Sequence, residues 1–228
     1  MTDAVELSVG GLVPLSTVDF PGALAAVVFC QGCPWRCTYC HNPHLWPLAG
    51  KQGLSWQGVR DFLLRRRGLL DGVVFSGGEP TWQEGLASAL EDVRAMGFRT
   101  ALHTGGSHPG RLAECLPLLD WVGLDIKAPP DEYARVTRVA GSGEAAARAL
   151  EILRAGGVAF EVRTTAHPDH LPAQALRRLA KWLARQGIRR WTLQMARAVP
   201  EHAGAAPALD AGLLEELRQD VEDIRLRI

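Results

Sequence analysis

The sequence predicts an α/β fold built from six strand–helix units in series, on three observations. Short runs rich in Val, Ile, Leu and Phe recur along the chain without strict alternation, as in a parallel sheet covered on both faces. Longer stretches of helical spacing separate them, and the pattern of proline inside the start and glycine past the end recurs. The 228 residues, 47% apolar and 22% charged, are enough to bury a sizeable core in one compact domain.

The strand runs are Ala23–Phe29, Gly72–Phe75, Arg99–His103, Trp121–Ile126, Val158–Arg163 and Trp191–Met195. After the first, Ser55–Arg67 sets Trp56, Val59, Phe62 and Leu63 on one helical face and meets a stop at Gly68. Trp82–Met96 follows Pro80–Thr81 and ends at Gly97, and Pro109–Leu116 is a shorter helical stretch. Gly143–Ala155 ends at Gly156–Gly157, Pro172–Gln186 ends at Gly187, and Leu209–Ile224 is expected as a terminal helix on the outside. Such a series connects right-handedly and permits two closures, an open doubly wound sheet or a barrel with fewer than the usual eight units.

Twenty-five basic and twenty-five acidic side chains cancel, which removes the broad positive field that nucleic-acid or anionic-membrane binding needs. No apolar run approaches the ~20 residues that span a bilayer. Met1–Gly10 carries Asp3 and Glu6 and lacks the basic start and apolar stretch of a secretory signal. A soluble, cytoplasmic protein with neither nucleic acid nor membrane as partner is expected.

Four of the five cysteines (Cys30, Cys33, Cys37 and Cys40) fall in one short stretch, while Cys115 stands alone. A disulfide framework would spread its cysteines along the chain, so shared coordination of a metal or cluster is the expectation. The spacing leaves two arrangements open. Three thiolates from Cys33, Cys37 and Cys40 can hold a cubane and leave its fourth iron free. Alternatively, Cys30 completes a closed site of structural zinc or an electron-transfer cluster, although a buried thiol ending an apolar strand needs no metal.

Ligands of parallel α/β folds lie beyond the carboxyl ends of the strands, and every predicted strand here exits into polar or metal-binding groups. The first leads into the cysteine loop, the second into Ser76-Gly77-Gly78-Glu79-Pro80 and the third into His103-Thr104-Gly105-Gly106. The fourth ends in Asp125-Ile-Lys127, the fifth in Arg163-Thr164-Thr165 and the sixth in Gln194-Met195. Glycines at such an exit let a ligand approach the backbone, and their carbonyls with Glu79 can accept hydrogen bonds from an ammonium. Lys127, one of three lysines, and Arg163, inside an apolar strand, are candidate partners of a carboxylate, with Asp125 placed to orient them.

The segment Phe29-Cys-Gln-Gly-Cys33-Pro-Trp-Arg-Cys37-Thr-Tyr39-Cys40-His41-Asn42-Pro43 resembles the cluster loop of radical S-adenosylmethionine (radical SAM) enzymes, most closely the activators of glycyl-radical proteins. Leu15–Gly22 and Gly68–Thr81 are similar to stretches of the anaerobic ribonucleoside-triphosphate reductase activating proteins. The likeness runs from about Gly10 to Met195. It implies a partial (β/α)6 barrel of the radical SAM type, a single domain with its core at about 20–196 and a C-terminal helical extension at about 207–228. It further implies that Cys33, Cys37 and Cys40, and not Cys30, bind a [4Fe–4S] cluster whose open iron is chelated by S-adenosyl-L-methionine.

By the same resemblance, Tyr39 lies against the adenine and Gly77, Gly78 and Glu79 receive the amino group. His41 and Thr104 contact the cofactor, and Asp125, Lys127 and Arg163 serve its ribose and carboxylate. The implied activity is reductive cleavage of the cofactor and removal of a hydrogen from a glycine of a partner enzyme, fed by a flavodoxin or ferredoxin. Related activators carry Asp-Thr-Asn-Gly where this chain has His103-Thr104-Gly105-Gly106, which puts a monovalent-cation site in doubt. His103 itself is expected either as a hydrogen-bonding substitute or as a satisfied core histidine.

Overall fold

The computed structural model describes residues 6–48, 53–167, 170–195 and 209–227. Its strands are β1 (Val9–Ser16), β2 (Ala25–Cys30), β3 (Gly72–Gly77), β4 (Arg99–Thr104), β5 (Trp121–Asp125), β6 (Ala159–Ala166), β7 (Arg190–Met195) and β8 (Asp223–Arg227). They form one sheet in the order β1 to β8, antiparallel between β1 and β2 and parallel thereafter. A doubly wound sheet reverses its strand order at a switch point. No reversal occurs here, and β1 and β8 are not paired, so the sheet is a partial barrel left open on one side.

Helices α1 (Trp56–Leu64), α2 (Leu86–Ala95), α3 (Pro109–Cys115), α4 (Tyr133–Thr137), α5 (Ser142–Gly156), α6 (Ala173–Arg185) and α7 (Ala211–Arg218) cover the outside. Ser55 caps α1 by accepting from the Gly58 N–H at 3.1 Å. In α6, Leu176, Leu179 and Leu183 recur at helical spacing and are buried against the sheet.

Five departures from the sequence expectation stand out. The run Pro80–Trp82 is a 3-10 turn, because the Glu79 carboxylate caps it by accepting from the Thr81 N–H, and α2 therefore starts only at Leu86. β1 contains Gly10, Gly11 and Pro14, a poor strand composition that is tolerated at a sheet edge. Tyr133–Thr137 forms the short α4, which no periodicity announces. The expected terminal helix and C-terminal helical extension are corrected: α7 stops at Arg218, and Asp-Ile-Arg-Leu-Arg, alternating with period two, pairs in parallel with β7 as β8. β6 also runs on to Ala166, so Thr164 and Thr165 lie in the strand instead of after it.

Strand alternation divides the apolar residues into two clusters. Ala26, Val28, Val73, Phe75, Val122, Leu124, Val162 and Leu193 point outward and pack with the helices in the main core. Ala25, Val27, Val74, Ala101 and Trp121 point inward, where Phe20 and Ala23 join them to plug one end of the barrel. Phe20 stacks on Trp121 with ring centroids 6.3 Å apart. Replacing Phe20 by Ala opens that plug and should lower stability by about 3–5 kcal/mol. A chemical-denaturation midpoint equal to that of the wild type would contradict this account.

Candidate active site

Beyond the plug, the inner wall becomes polar and encloses a cavity of about 380 Å³ at the carboxyl ends of the strands. Cys33, Cys37 and Cys40 line it, facing Glu79, Asp125, Lys127 and Arg163. Cys30 does not line it. It lies two residues beyond Val28 on β2, so the same alternation turns it outward into the helix-side core. All five cysteines are free thiols.

Burial, followed by the nearby Glu79, pushes the Cys33 thiol up to about 12, and burial raises the Cys37 thiol as well. Thiols so placed lose their protons readily only to a cationic centre, which converts them into thiolate ligands. Three free thiols on the wall of one cavity offer the cysteine sulfurs that an iron–sulfur cluster takes as ligands.

The loop carrying them is tied down by backbone hydrogen bonds. Gly32 N–H donates to Leu45 O at 2.8 Å, and Arg36 N–H donates to Thr137 O at 2.9 Å. Gly78 N–H donates to Cys30 O and Glu79 N–H to Gly32 O, both at 2.9 Å. The glycines of the β3 exit are explained by this contact. A Cβ on Gly78 would stand 2.3 Å from Gly32 O, and one on Gly77, where φ is +106°, would stand 2.6 Å from Cys30 N. What approaches their backbone is the cysteine loop itself.

Glu79 is 2% exposed and joins two strand exits. Its Oε1 accepts from Thr81 Oγ1 at 2.7 Å, Thr81 N–H at 3.1 Å and Thr104 Oγ1, while Oε2 accepts from Gly105 N–H at 2.8 Å. Burial raises its proton affinity above the ordinary carboxylate range, and these donors oppose that rise. Oε2, with one donor, keeps acceptor capacity. Thr104 lines the cavity, but its hydroxyl is occupied, donating to Glu79 and accepting from Gly106 N–H at 2.9 Å.

On the next strands, β5 and β6, Arg163 donates from Nε to Asp125 Oδ1 at 3.0 Å, and its Nη2 lies 3.0 Å from the same oxygen. The room for this guanidinium comes from Gly123, where a Cβ would sit 2.6 Å from Arg163 Cζ. Burial works against the Asp125 carboxylate, but Arg163 and Lys127 outweigh it and hold its pKa below the ordinary value. Lys127 Nζ is 3.9 Å from Asp125 Oδ2, beyond hydrogen-bonding distance. Burial disfavours its ammonium, yet the surrounding acidic groups keep it charged.

His103, on β4, adjoins this pair. Its Nε2 is 2.8 Å from Asp19 O, an acceptor, so that nitrogen carries the proton and donates it. Burial and the Arg163 charge push its pKa down to about 3, so the ring is neutral. Arg163 Nη1, 3.3 Å from the same nitrogen, therefore finds no acceptor there. His103 is hydrogen-bonded at the cavity wall and does not belong to the core.

Tyr39 is buried, with Lys127 Nζ 6.0 Å from its ring centroid and His167 stacked beside it at 6.3 Å. Its hydroxyl has no hydrogen-bond partner. His41 lines the cavity mouth. Gly77 and Gly78 complete the set, so the structure brings every site residue expected from the sequence to one cavity. Sequence reasoning missed Asp19, Trp35, Trp46 and Arg227 as lining residues, and Gly123 as the space for Arg163. The period-two pattern of β8 could have placed Arg227, and Asp19 and Trp35 lie within the stretches that carry the resemblance; nothing local marks Trp46 or Gly123.

A family model of the radical SAM superfamily matches residues 27–174. A protein of Methanocaldococcus jannaschii named as a glycyl-radical enzyme activating enzyme is 31% identical over 183 residues, covering 76% of this chain and 74% of that one. The pyruvate formate-lyase-activating enzyme of Clostridium pasteurianum is 42% identical over 123 residues, 52% of this chain and 51% of the relative, so the chain spans about half of that relative's length. Among solved structures, a radical SAM methyltransferase from Sphaerobacter thermophilus superposes with a TM-score of 0.68 at 15% identity, covering 91% of this chain and 67% of that one. QueE from Escherichia coli superposes at 0.59 and 18% identity, covering 97% and 94%. These two share the fold. The chain belongs to the radical SAM superfamily of enzymes, which use a [4Fe–4S] cluster and S-adenosylmethionine, and within it to the family of glycyl-radical enzyme activating enzymes.

Proposed function

We propose that this protein generates a glycyl radical on a partner enzyme, an anaerobic ribonucleoside-triphosphate reductase. The observation that carries the reading is the single cavity in which Cys33, Cys37 and Cys40 face Lys127 and Arg163 while Cys30 is turned away. When bound, the cluster and S-adenosylmethionine supply one-electron reductive cleavage and radical chemistry.

The chain's own residues bind, orient and shield. Cys33, Cys37 and Cys40 hold the cluster and leave one iron for the cofactor. Lys127 and the Nη1 of Arg163, neither hydrogen-bonded to Asp125, neutralise the cofactor carboxylate. The Gly77 and Gly78 carbonyls and Glu79 Oε2 accept from its ammonium, with Thr104 holding Glu79 in place. Asp125 fixes Arg163, Tyr39 and His41 border the adenine side, and the apolar plug closes the far end to water.

The reductase as partner rests on the stretches Leu15–Gly22 and Gly68–Thr81. A second reading, pyruvate formate-lyase as partner, is favoured by the 42% identity to the Clostridium pasteurianum enzyme. A flavodoxin or ferredoxin would supply the electron, and the reaction would take place in the cytoplasm.

After anaerobic reconstitution with iron and sulfide, Cys37→Ala should lose the cluster absorbance and Cys30→Ala should keep it. The reverse order would reject the three-thiol site. Lys127→Met should weaken S-adenosylmethionine binding about tenfold at unchanged iron content; unaltered affinity would remove Lys127 from the carboxylate site. With strong reductant and cofactor, the wild type should give a glycyl-radical electron paramagnetic resonance doublet on the reductase. A doublet on pyruvate formate-lyase alone would move the partner to the second reading.

A further inference from the structure

His103 and Arg163 come together at the plugged end of the cavity. Both lie against the Trp121 ring, His103 edge-on with centroids 5.6 Å apart and the Arg163 guanidinium 6.0 Å from the ring centroid. Their strands, β4 and β6, flank β5. Gly123, the β5 residue in register with His103, has no side chain, and the guanidinium occupies that space.

The donors of Arg163 can be followed one by one. The residue is 4% exposed, and its guanidinium carries five N–H bonds. Nε and Nη2 are each 3.0 Å from Asp125 Oδ1, and Nη2 also reaches Gly123 O at 3.4 Å. Among the described residues, Nη1 has only His103 Nε2 within hydrogen-bonding range, at 3.3 Å. That nitrogen is 2.8 Å from Asp19 O, and a carbonyl oxygen only accepts, so Nε2 holds the ring proton and offers Nη1 no lone pair. The carbonyl is held in place by its turn: Ser16 Oγ donates to Asp19 Oδ2 at 2.6 Å and accepts from Asp19 N–H at 3.3 Å.

The ring carries no second proton. Burial and the Arg163 charge outweigh the Asp125 and Asp19 carboxylates, which act the other way. Two hydrogens of a buried guanidinium thus reach the cavity wall without an acceptor there, and a buried donor left unpaired is costly. Their acceptor is to be sought in a ligand.

We infer that His103 is a positioning residue for cofactor binding: by donating to Asp19 O, it keeps one side of the Arg163 guanidinium free for the carboxylate of S-adenosylmethionine. An acceptor at this place would engage Nη1 within the wall and leave the ligand carboxylate to Lys127 alone. A carboxylate would do so most strongly, as a second anion on the same cation. This rests on the reading that sets the cofactor carboxylate at Lys127 and Arg163, and adds the residue that keeps Arg163 available.

Equilibrium dialysis of the cluster-loaded protein, anaerobic and without reductant, can compare S-adenosylmethionine with 5′-methylthioadenosine, which lacks the amino and carboxylate groups. At matched iron content, His103→Asp should bind S-adenosylmethionine about tenfold more weakly and 5′-methylthioadenosine unchanged. His103→Gln, whose amide can donate to Asp19 O, should bind both within about twofold of the wild type. Three results overturn the role of His103: wild-type affinity for S-adenosylmethionine in His103→Asp, an equal loss of both ligands, or an equal loss in His103→Gln. Arg163→Gln tells this failure from that of the reading beneath it. Weakened S-adenosylmethionine binding there, with none in His103→Asp, confines the failure to His103, whereas wild-type affinity there overturns the carboxylate site itself.

Discussion

The arrangement of the site depends on the alternation of side chains across a curved parallel sheet. In each strand from β2 to β8, residues of one parity meet the helices and residues of the other face the barrel interior. On β2 this parity places Cys30 with Val28 and Ala26 on the helix side. On β5 and β6 it places Asp125 and Arg163 inside, with Leu124 and Val162 outside. A one-residue slip in any strand would exchange its polar and apolar faces. The separation of a three-thiol wall from a fourth nearby thiol thus needs no special device.

Inside the barrel the second constraint is electrostatic. Ions removed from water are tolerated only when paired and hydrogen-bonded. Arg163 meets this condition through Asp125, through the carbonyl of Gly123 at 3.4 Å and through contact with the Trp121 ring. Glu79 meets it with four donors from two strand exits. The two networks sit at neighbouring strand exits of one cavity, so the interior holds an anion surrounded by donors and, beside it, a cation pair anchored by one carboxylate. A zwitterionic ligand with an ammonium and a carboxylate matches that polarity, ammonium toward Glu79 and carboxylate toward Lys127 and Arg163.

Much of this was legible before any coordinates. The strand exits could be read because turn glycines, prolines and charged residues interrupt apolar runs, and those exits do converge on one cavity. The faces of the strands could not, because inward residues of the plug are as apolar as outward residues of the core. Ala25 and Ala26 look alike in sequence and belong to different clusters. β1 escaped because Gly10, Gly11 and Pro14 argue against a strand, and its formation follows from pairing with β2 and not from propensity. β8 was absorbed into a helix because Leu213, Leu214 and Leu217 set a helical rhythm that Ile224 continues. Thr104 shows the limit for site residues: its place was predictable, but its engagement by Glu79 is a tertiary fact.

The Gly77-Gly78 pair shows how one motif can be read at two levels. As sequence, it marks where a ligand can approach the backbone; in the fold, that approach is made by Cys30 and Gly32. The two readings are linked, because the contact welds the cysteine loop to the β3 exit through the Gly78 and Glu79 N–H groups. Glu79 therefore belongs through its backbone to the loop that carries the thiols, and through its side chain to Thr104 and Gly105 of β4 and its exit. Glycine is required there because only a residue without Cβ allows two backbones to lie so close, and that closeness joins the start of the cysteine loop to the exit that carries the Glu79 acceptor.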